Sequence, residues 1–306
     1  MSSSPPRVSV VIPTYRRSQI ISRAISSVLA QTFSDFEVIV VDDNGRDHPE
    51  QKSTEEVITG QHPDARVVYV KNEKSRGGSG ARNVAIKMAR GEFMAFLDDD
   101  EDWIETKLEQ QVEAFEKAEH DVGLIDCGFF DVKPDGRVRE ARPKMQGYVF
   151  ERLLAKTSGR APKLSTVMIP KRVLDSVGPF DETLPAREDY DLYLRIARDF
   201  KFDSVPVPLA FKRGDAGPRI TSNPENFVRG YERIYHKFKE DYQKRPKTHS
   251  VYLLRYAELL ALTRRSSDAW DLFMKAARIY PLNPRLITYC LRLWQANRRS
   301  TAKSSE

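Results

Sequence analysis

Residues 8–12 form an apolar run closed by Pro13, the pattern of a short buried strand. In the stretch that follows, Ile20, Ile21, Ala24, Ile25, Val28 and Leu29 recur at the helical period, and Ser18 stands ahead of them as a candidate cap. A second strand is expected over residues 36–41, ending at Asp42-Asp43-Asn44-Gly45, where turn-forming residues take over. Residues 66–70 predict a third strand and 81–90 a helix ended by Gly91. A fourth strand at 93–97 runs into Asp98-Asp99-Asp100, and a helix is expected over about 104–118. Short β-branched runs alternating with longer amphipathic stretches predict strand and helix units that feed a mixed, mostly parallel sheet, an α/β fold.

From 124 to 209 the pattern is less regular. Strand-like pieces occur at 123–130 and 166–169, and a helix over 190–197 is announced by Arg187-Glu188-Asp189, whose acids suit the positive end of a helix dipole. Beyond Pro224 the strand signal disappears. Helical arms are expected at 250–262, 267–280 and 284–296, the first two separated by Thr263-Arg264-Arg265-Ser266. Ala257, Ala269, Ala276, Ala277 and Pro281 sit where a tetratricopeptide-type unit places small residues and its closing proline. A solenoid normally needs three such repeats, so helices packed on the main domain are the favoured reading. The expected organisation is an α/β domain over 1–223 and a basic helical region over 224–306.

Composition narrows the class. With 306 residues, 40% hydrophobic and 31% charged, the chain is globular rather than disordered, and long enough for one large domain with an appendage. Two cysteines, Cys127 and Cys290, suggest neither a disulfide framework nor a cysteine zinc site, so a reducing compartment is expected. No apolar run approaches the ~18 residues that cross a bilayer, and residues 1–7 lack a signal-peptide layout. The expected location is the cytoplasm, with peripheral contact at the inner membrane surface as an option. The net charge of +6 is unevenly spread: from Glu225 onward there are 17 basic and 8 acidic side chains, against 33 and 36 before it.

Three strand ends, at Asp42-Asp43, Asn72 and Asp98 to Asp100, offer polar groups at the edge where open α/β sheets bind ligands. Asp98-Asp99-Asp100-Glu101-Asp102 sets five acids in a row, where repulsion is relieved if a cation is shared. Oxygen ligands favour Mg²⁺ or Mn²⁺. A solvated acidic turn ahead of a helix fits the same residues equally well.

The ordered motifs resemble a family 2 glycosyltransferase of the GT-A fold. Val8-Ser9-Val10-Val11-Ile12-Pro13-Thr14-Tyr15 resembles the family's opening strand; Gln31-Thr32-Phe33 and Val40-Val41-Asp42-Asp43 resemble its second unit. Gly80-Ala81-Arg82-Asn83 and Gly91-Glu92-Phe93 are similar to the segment that leads to the Asp-x-Asp strand, here Phe96-Leu97-Asp98-Asp99-Asp100. Val177-Gly178-Pro179-Phe180-Asp181-Glu182, followed by Glu188-Asp189-Tyr190-Asp191-Leu192, resembles the segment holding the catalytic acid. The likeness covers about residues 7–213.

The resemblance implies a nucleoside-diphosphate sugar donor, most often a UDP-sugar. Pro13, Thr14, Tyr15 and Asp43 would surround the base, Arg82 would meet base or phosphate charge, Asp98 and Asp99 would face the donor with Asp99 on the ribose, and Asp100 would hold the metal. Packing and a surface ion pair are the bland alternatives for Tyr15 and Arg82. Asp189 matches the general base that deprotonates the acceptor hydroxyl, which helps typically by 10²- to 10⁴-fold; its bland alternative is a helix N-cap. A single base acting in line inverts the anomeric centre. The Gln-x-x-Arg-Trp motif of processive synthases does not occur, which favours addition of one or a few sugars. Where many relatives carry a metal-site histidine, residues 211–219 offer Asp215, and His48, His62, His120, His236 and His249 show no ligand spacing and read as surface residues.

Other readings remain open. Gly77-Gly78-Ser79-Gly80 is not the dinucleotide fingerprint and reads as a flexible loop bordering the donor. A nucleotidyltransferase on sugar phosphates would share the strand-end acids, and an inactive nucleotide-sugar-binding scaffold would share the fold. The acceptor implied by the family is a glycan or a lipid-linked glycan. In the basic region, Arg229, Arg233, Lys237, Lys239, Lys244, Arg245 and Lys247 interleave with Tyr231, Tyr235, Phe238 and Tyr242. An anionic membrane surface suits this pattern; nucleic acid is disfavoured because no binding motif accompanies the charge. A solvated basic face over buried aromatics is the simplest reading.

Overall fold

The computed structural model describes residues 4–155, 161–213 and 223–302, with side chains through residue 295. Strand β1 (Val8–Thr14) leads to α1 (Ile21–Leu29), β2 (Phe36–Asp42) to α2 (Pro49–Gln61), and β3 (Val67–Lys71) to α3 (Gly77–Met88). Next come β4 (Phe93–Phe96), β5 (Glu101–Trp103), α4 (Lys107–Lys117), β6 (Val122–Val132), β7 (Val138–Ala141) and α5 (Phe150–Leu154). A 3₁₀ turn at Leu164–Thr166 precedes β8 (Met168–Pro170), α6 (Lys171–Val177), α7 (Glu188–Asp199) and β9 (Lys201–Arg213). Helices α8 (Pro224–Lys237), α9 (Lys239–Gln243), α10 (Pro246–Leu262), α11 (Ser266–Ile279) and α12 (Arg285–Ala302) follow. The described chain divides into two compact units: residues 4–149, 161–182 and 192–213 in the first, and 150–155, 183–191 and 223–302 in the second. Two early segments therefore belong with the C-terminal helices.

The first unit is a nine-stranded sheet in the order β3-β2-β1-β4-β8-β6-β9-β5, with β7 beside β6. Strands β3, β2, β1 and β4 run parallel, β8 is antiparallel to β4, and β6 and β9 are parallel again. This is the mixed, mostly parallel sheet that the alternating pattern predicts. Ile21, Ala24, Ile25 and Val28 of α1 are buried on one face against Val8, Val10 and Ile12 of β1 and Val38 and Val40 of β2, each aliphatic side chain contributing about 1.5–3 kcal/mol. That packing fixes the carboxyl ends of β1, β2 and β4 along one edge.

Several expectations are corrected. Ser18 does not cap α1: Ile20 holds the N-cap position without a side-chain bond, and the Ser18 hydroxyl donates to Glu50 at 3.0 Å. Glycines 77, 78 and 80 are the first turn of α3 rather than a loop. The acidic run does not pass straight into a helix, because Glu101–Trp103 pairs as β5 with β9, and α4 starts only at Lys107. Helix α2 has a polar sequence that buries little more than Thr54 and Ile58, and it is set by Pro49 in its first turn and by His48, whose ring accepts from the Glu50 amide. Strand β9 contains Pro206 and Pro208, which argue against a central strand. It survives through register shifts around Gly128, which pairs with Pro208. A Cβ on Gly128 would lie 2.7 Å from the Ala141 carbonyl and 3.0 Å from Pro208, so the bulge requires glycine. His62 and His249 are buried, contrary to the surface assignment, and burial pushes both rings below their ordinary pKa.

The second unit is built on aromatic side chains. Tyr231, Tyr235, Phe238, Tyr242 and Tyr252 are buried, with the Tyr242 and Tyr252 rings 4.5 Å apart. The aromatics interleaved among the basic residues are thus core, and Arg229, Lys239, Lys244 and Lys247 are exposed. Among the described residues no helix is long and apolar enough to cross a membrane.

Candidate active site

The ends of β1 and β2 are zipped together in the first unit. The Asp43 amide donates to the Thr14 carbonyl at 2.9 Å, and the Arg16 amide to the Asn44 side chain at 2.8 Å. Pro13 is half-buried and Thr14 buried, whereas Tyr15 is 44% exposed, with the Arg16 guanidinium 5.0 Å from its ring centre. Asp42 is fully buried and accepts from the Asn44 amide and the Tyr69 hydroxyl. Burial first, and the hydrogen bond to Asp42 second, hold the Tyr69 phenol well above its usual pKa.

Asp43 organises the start of α3. Its carboxylate accepts from Asn72 at 2.7 Å, from Ser75 at 2.8 Å, and from the amides of Arg76 and Gly77 at 2.9 and 2.8 Å. A negative charge at a helix N-terminus complements the dipole. These four donors tie Asp43 to the loop that opens α3. Farther along α3, Asn83 makes two hydrogen bonds with the backbone of Phe180, at 2.9 and 3.0 Å, and Arg76 pairs with Glu182 at 3.0 Å. Two motifs far apart in sequence are joined there.

The acidic turn after β4 is densely partnered. Asp98 accepts from Arg82 at 2.7 Å, and Arg82 is buried with its guanidinium 5.7 Å from the Phe180 ring centre. Asp99 is buried, accepting from Thr14 at 2.8 Å and Arg17 at 2.7 Å. Arg17 also lies 3.4 Å from Asp100. Arg23 donates to the Asp100 carbonyl, and Arg213 forms a two-pronged pair with Asp102. Ser165 ties the turn from behind: its hydroxyl accepts from the Asp98 amide at 3.1 Å and its carbonyl from the Trp103 indole at 2.8 Å. Burial raises Asp99 to about 6, opposed by Arg17. Burial also carries Glu101 well above the usual carboxylate range, reinforced by Asp98.

Among the described residues, one group offers three or more potential metal ligands: Asp98, Asp100 and Glu101, whose carboxylate oxygens lie within 4.8 Å of one another. The set is all oxygen, and three carboxylates this close repel one another, which fits Mg²⁺ or Mn²⁺. No histidine belongs to it, and Asp215 lies outside the described residues.

Asp189 lies in the second unit, in the first turn of α7 rather than at its N-cap, and is half-buried. Its carboxylate accepts from the Tyr190 amide at 2.6 Å. The structure brings Thr14, Arg82 and Asp98 to Asp100 into one network, with Asp43 and Tyr15 at the neighbouring strand ends. Sequence reasoning missed Arg17, Arg23, Arg213 and Ser165. Five consecutive acids call for counter-charges, and Arg16-Arg17, directly after the first strand end, carried that signal; Ser165, more than 60 positions on, carried none.

The family model described as Glycosyl transferase family 2 matches residues 9–169, and one described as Glycosyltransferase like family 2 matches 137–245. The Escherichia coli protein named UDP-Glc:alpha-D-GlcNAc-diphosphoundecaprenol beta-1,3-glucosyltransferase WfgD is 32% identical over 198 residues, 65% of this chain and 72% of that one. Among solved structures, S. aureus TarS 1-349 in complex with UDP-GlcNAc aligns with a TM-score of 0.65 at 19% identity, covering 98% of this chain and 92% of that one. The mannosyltransferase PcManGT from Pyrobaculum calidifontis, in complex with GDP-Man and Mn2+, aligns at 0.60 and 18% identity, covering 96% and 86%. The two structural likenesses carry the GT-A fold. With a family model spanning more than half its length and ordered acids at the matching strand ends, the chain belongs to glycosyl transferase family 2 and is a glycosyltransferase.

Proposed function

We propose that the protein is a metal-dependent, inverting enzyme that moves one or a few sugars from a nucleoside-diphosphate sugar, preferably a UDP-sugar, to an acceptor hydroxyl in glycan or cell-surface polysaccharide synthesis. The observation that carries this reading is the convergence of Asp98, Asp100 and Glu101 at the carboxyl end of β4 in a family 2 chain. A UDP donor and a lipid-linked acceptor accord with the names of the E. coli relative and the TarS complex.

In this mechanism Thr14 and Arg17 orient Asp99 toward the ribose hydroxyls, and Asp43 and Tyr15 border the base. Arg82 aligns Asp98 and adds positive charge near the diphosphate. Asp100, with Asp98 and Glu101, would hold Mn²⁺ or Mg²⁺, which when bound offsets charge on the departing diphosphate. Asp189 takes the proton from the acceptor hydroxyl, and attack from the face opposite the leaving group inverts the anomeric carbon. A lipid-linked acceptor would bring the protein to an anionic membrane surface, for which the exposed Arg229, Lys239, Lys244 and Lys247 are suited.

The test pairs binding with turnover. UDP with Mn²⁺ should raise the melting temperature of both the native protein and Asp189→Asn, while Asp189→Asn slows sugar transfer and donor hydrolysis by about 10²- to 10⁴-fold. Native-rate turnover by Asp189→Asn refutes the base, and pyrophosphate release from a nucleoside triphosphate would point to a nucleotidyltransferase instead.

A further inference from the structure

Within the second unit, one face of α8 grips the segment 183–191 that carries Glu188-Asp189. A Cβ on Gly230 would lie 2.7 Å from the Ala186 carbonyl, so only glycine allows that approach. Arg233 donates to the Thr183 carbonyl, and Lys237 pairs at 2.7 Å with Asp191, whose side chain is fully buried. Positions 230, 233 and 237 are spaced as one stripe of a helix. The fourth contact is Arg187, with its guanidinium 3.9 Å from the Tyr231 ring centre and 4.3 Å from that of Tyr190. Helix α10 braces this stack, since Tyr252 donates to the Tyr231 carbonyl at 2.7 Å. Arg187 has φ 68°, a left-handed conformation that a long side chain keeps only when its surroundings enforce it.

We propose that Arg187 is a positioning residue: stacked between Tyr190 and Tyr231, it fixes the backbone that presents Asp189. This rests on the reading of Asp189 as the base. The guanidinium is planar and stacks on both rings, which a lysine ammonium cannot reproduce. Small displacements of a reacting group cost rate rather than binding.

The experiment compares full-length Arg187→Lys, Gly230→Ala, Asp189→Asn and the double variant Arg187→Lys/Asp189→Asn. Nucleoside diphosphate release is followed with Mn²⁺ and whichever of UDP-glucose, UDP-N-acetylglucosamine and GDP-mannose the native protein hydrolyses fastest. Arg187→Lys is expected to lose about 10- to 100-fold in kcat at unchanged KM, and the double variant to be no slower than Asp189→Asn alone. Gly230→Ala, which pushes on the same segment from α8, should show the same split and carries the test if Arg187→Lys does not fold. Native kcat in both single variants, or an additive loss in the double variant, overturns the inference while leaving the base intact. Native turnover by Asp189→Asn removes the base and the inference with it.

Discussion

Replacing Asp126 with asparagine tests how the layer beneath the acidic turn carries its charge. Asp126 and Lys107 are both buried, yet they are not in contact. The Lys107 ammonium donates to Gln111 at 2.5 Å and sits 4.0 Å from the Trp103 ring centre, while Asp126 accepts from Thr166 and the Cys127 amide. Gln111 links this layer to the turn by donating to the Thr166 carbonyl, one residue from Ser165. Burial raises Asp126 from 3.8 to about 7. An acid raised in this way binds a proton in the folded state that the unfolded state has released. Its contribution is therefore complete below about pH 4 and is lost as pH rises to about 7. The shift corresponds to about 4 kcal/mol at 1.36 kcal/mol per unit, and burying the asparagine amide returns about 1–3 kcal/mol of it. Asp126→Asn should thus be more stable than the native protein at pH 8 by about 1–3 kcal/mol. The difference should grow by up to about 1.4 kcal/mol per unit between pH 4 and 7 and stay flat above. Urea unfolding at a series of pH values measures it. A variant destabilised equally at pH 5 and pH 8 would mean that Asp126 is ionised throughout, held by Lys107 across Gln111.

Asp100→Asn removes one of three converging carboxylates and should weaken Mn²⁺ by at least about tenfold. Thermal melts with UDP, with and without Mn²⁺, would show the metal-dependent part of the shift vanish, and a full native shift refutes the assignment. His249, 3.0 Å from the Tyr235 hydroxyl, is lowered to about 4 by burial and by Lys275. Between about pH 6.5 and 4 the unfolded chain gains a proton that the folded ring refuses. Stability contributed above pH 6.5 is lost across that window, by at most about 1.4 kcal/mol per unit, and His249→Phe should flatten the acid limb of the melting profile.

What the sequence made legible follows from where local pattern coincides with packing. Strands β1, β2 and β4 are continuous apolar runs because both faces of a parallel sheet are covered, and α1 shows its stripe because it lies on that sheet. Strand β9 was illegible because Pro206 and Pro208 are tolerated only through the bulge at Gly128, a contact made across the sheet. Strand β5 is three residues long, two of them acids, and exists because β9 offers it an edge. Within the site the acids were readable as a run and Arg82 through the family resemblance, but Ser165, Arg23 and Arg213 reach the turn through tertiary structure. The basic region misled in a similar way. Arg233, Lys237 and Arg245 look like a solvent or membrane face, yet they reach a backbone carbonyl, a buried carboxylate and Glu151.

The acids and arginines together explain why five consecutive carboxylates can end a strand in a folded protein. Arg82 answers Asp98, Arg17 answers Asp99 and Asp100, and Arg23 and Arg213 answer Asp102. These four guanidiniums offset part of the repulsion within the turn. Asp99, Asp100 and Asp102 are buried, whereas Asp98 keeps 39% of its side chain exposed. Asp98, Asp100 and Glu101 are the trio whose oxygens converge. Arg17 and Arg213 thus hold Asp99 and Asp102 in charge-assisted pairs, beside the three carboxylates proposed to hold a divalent ion.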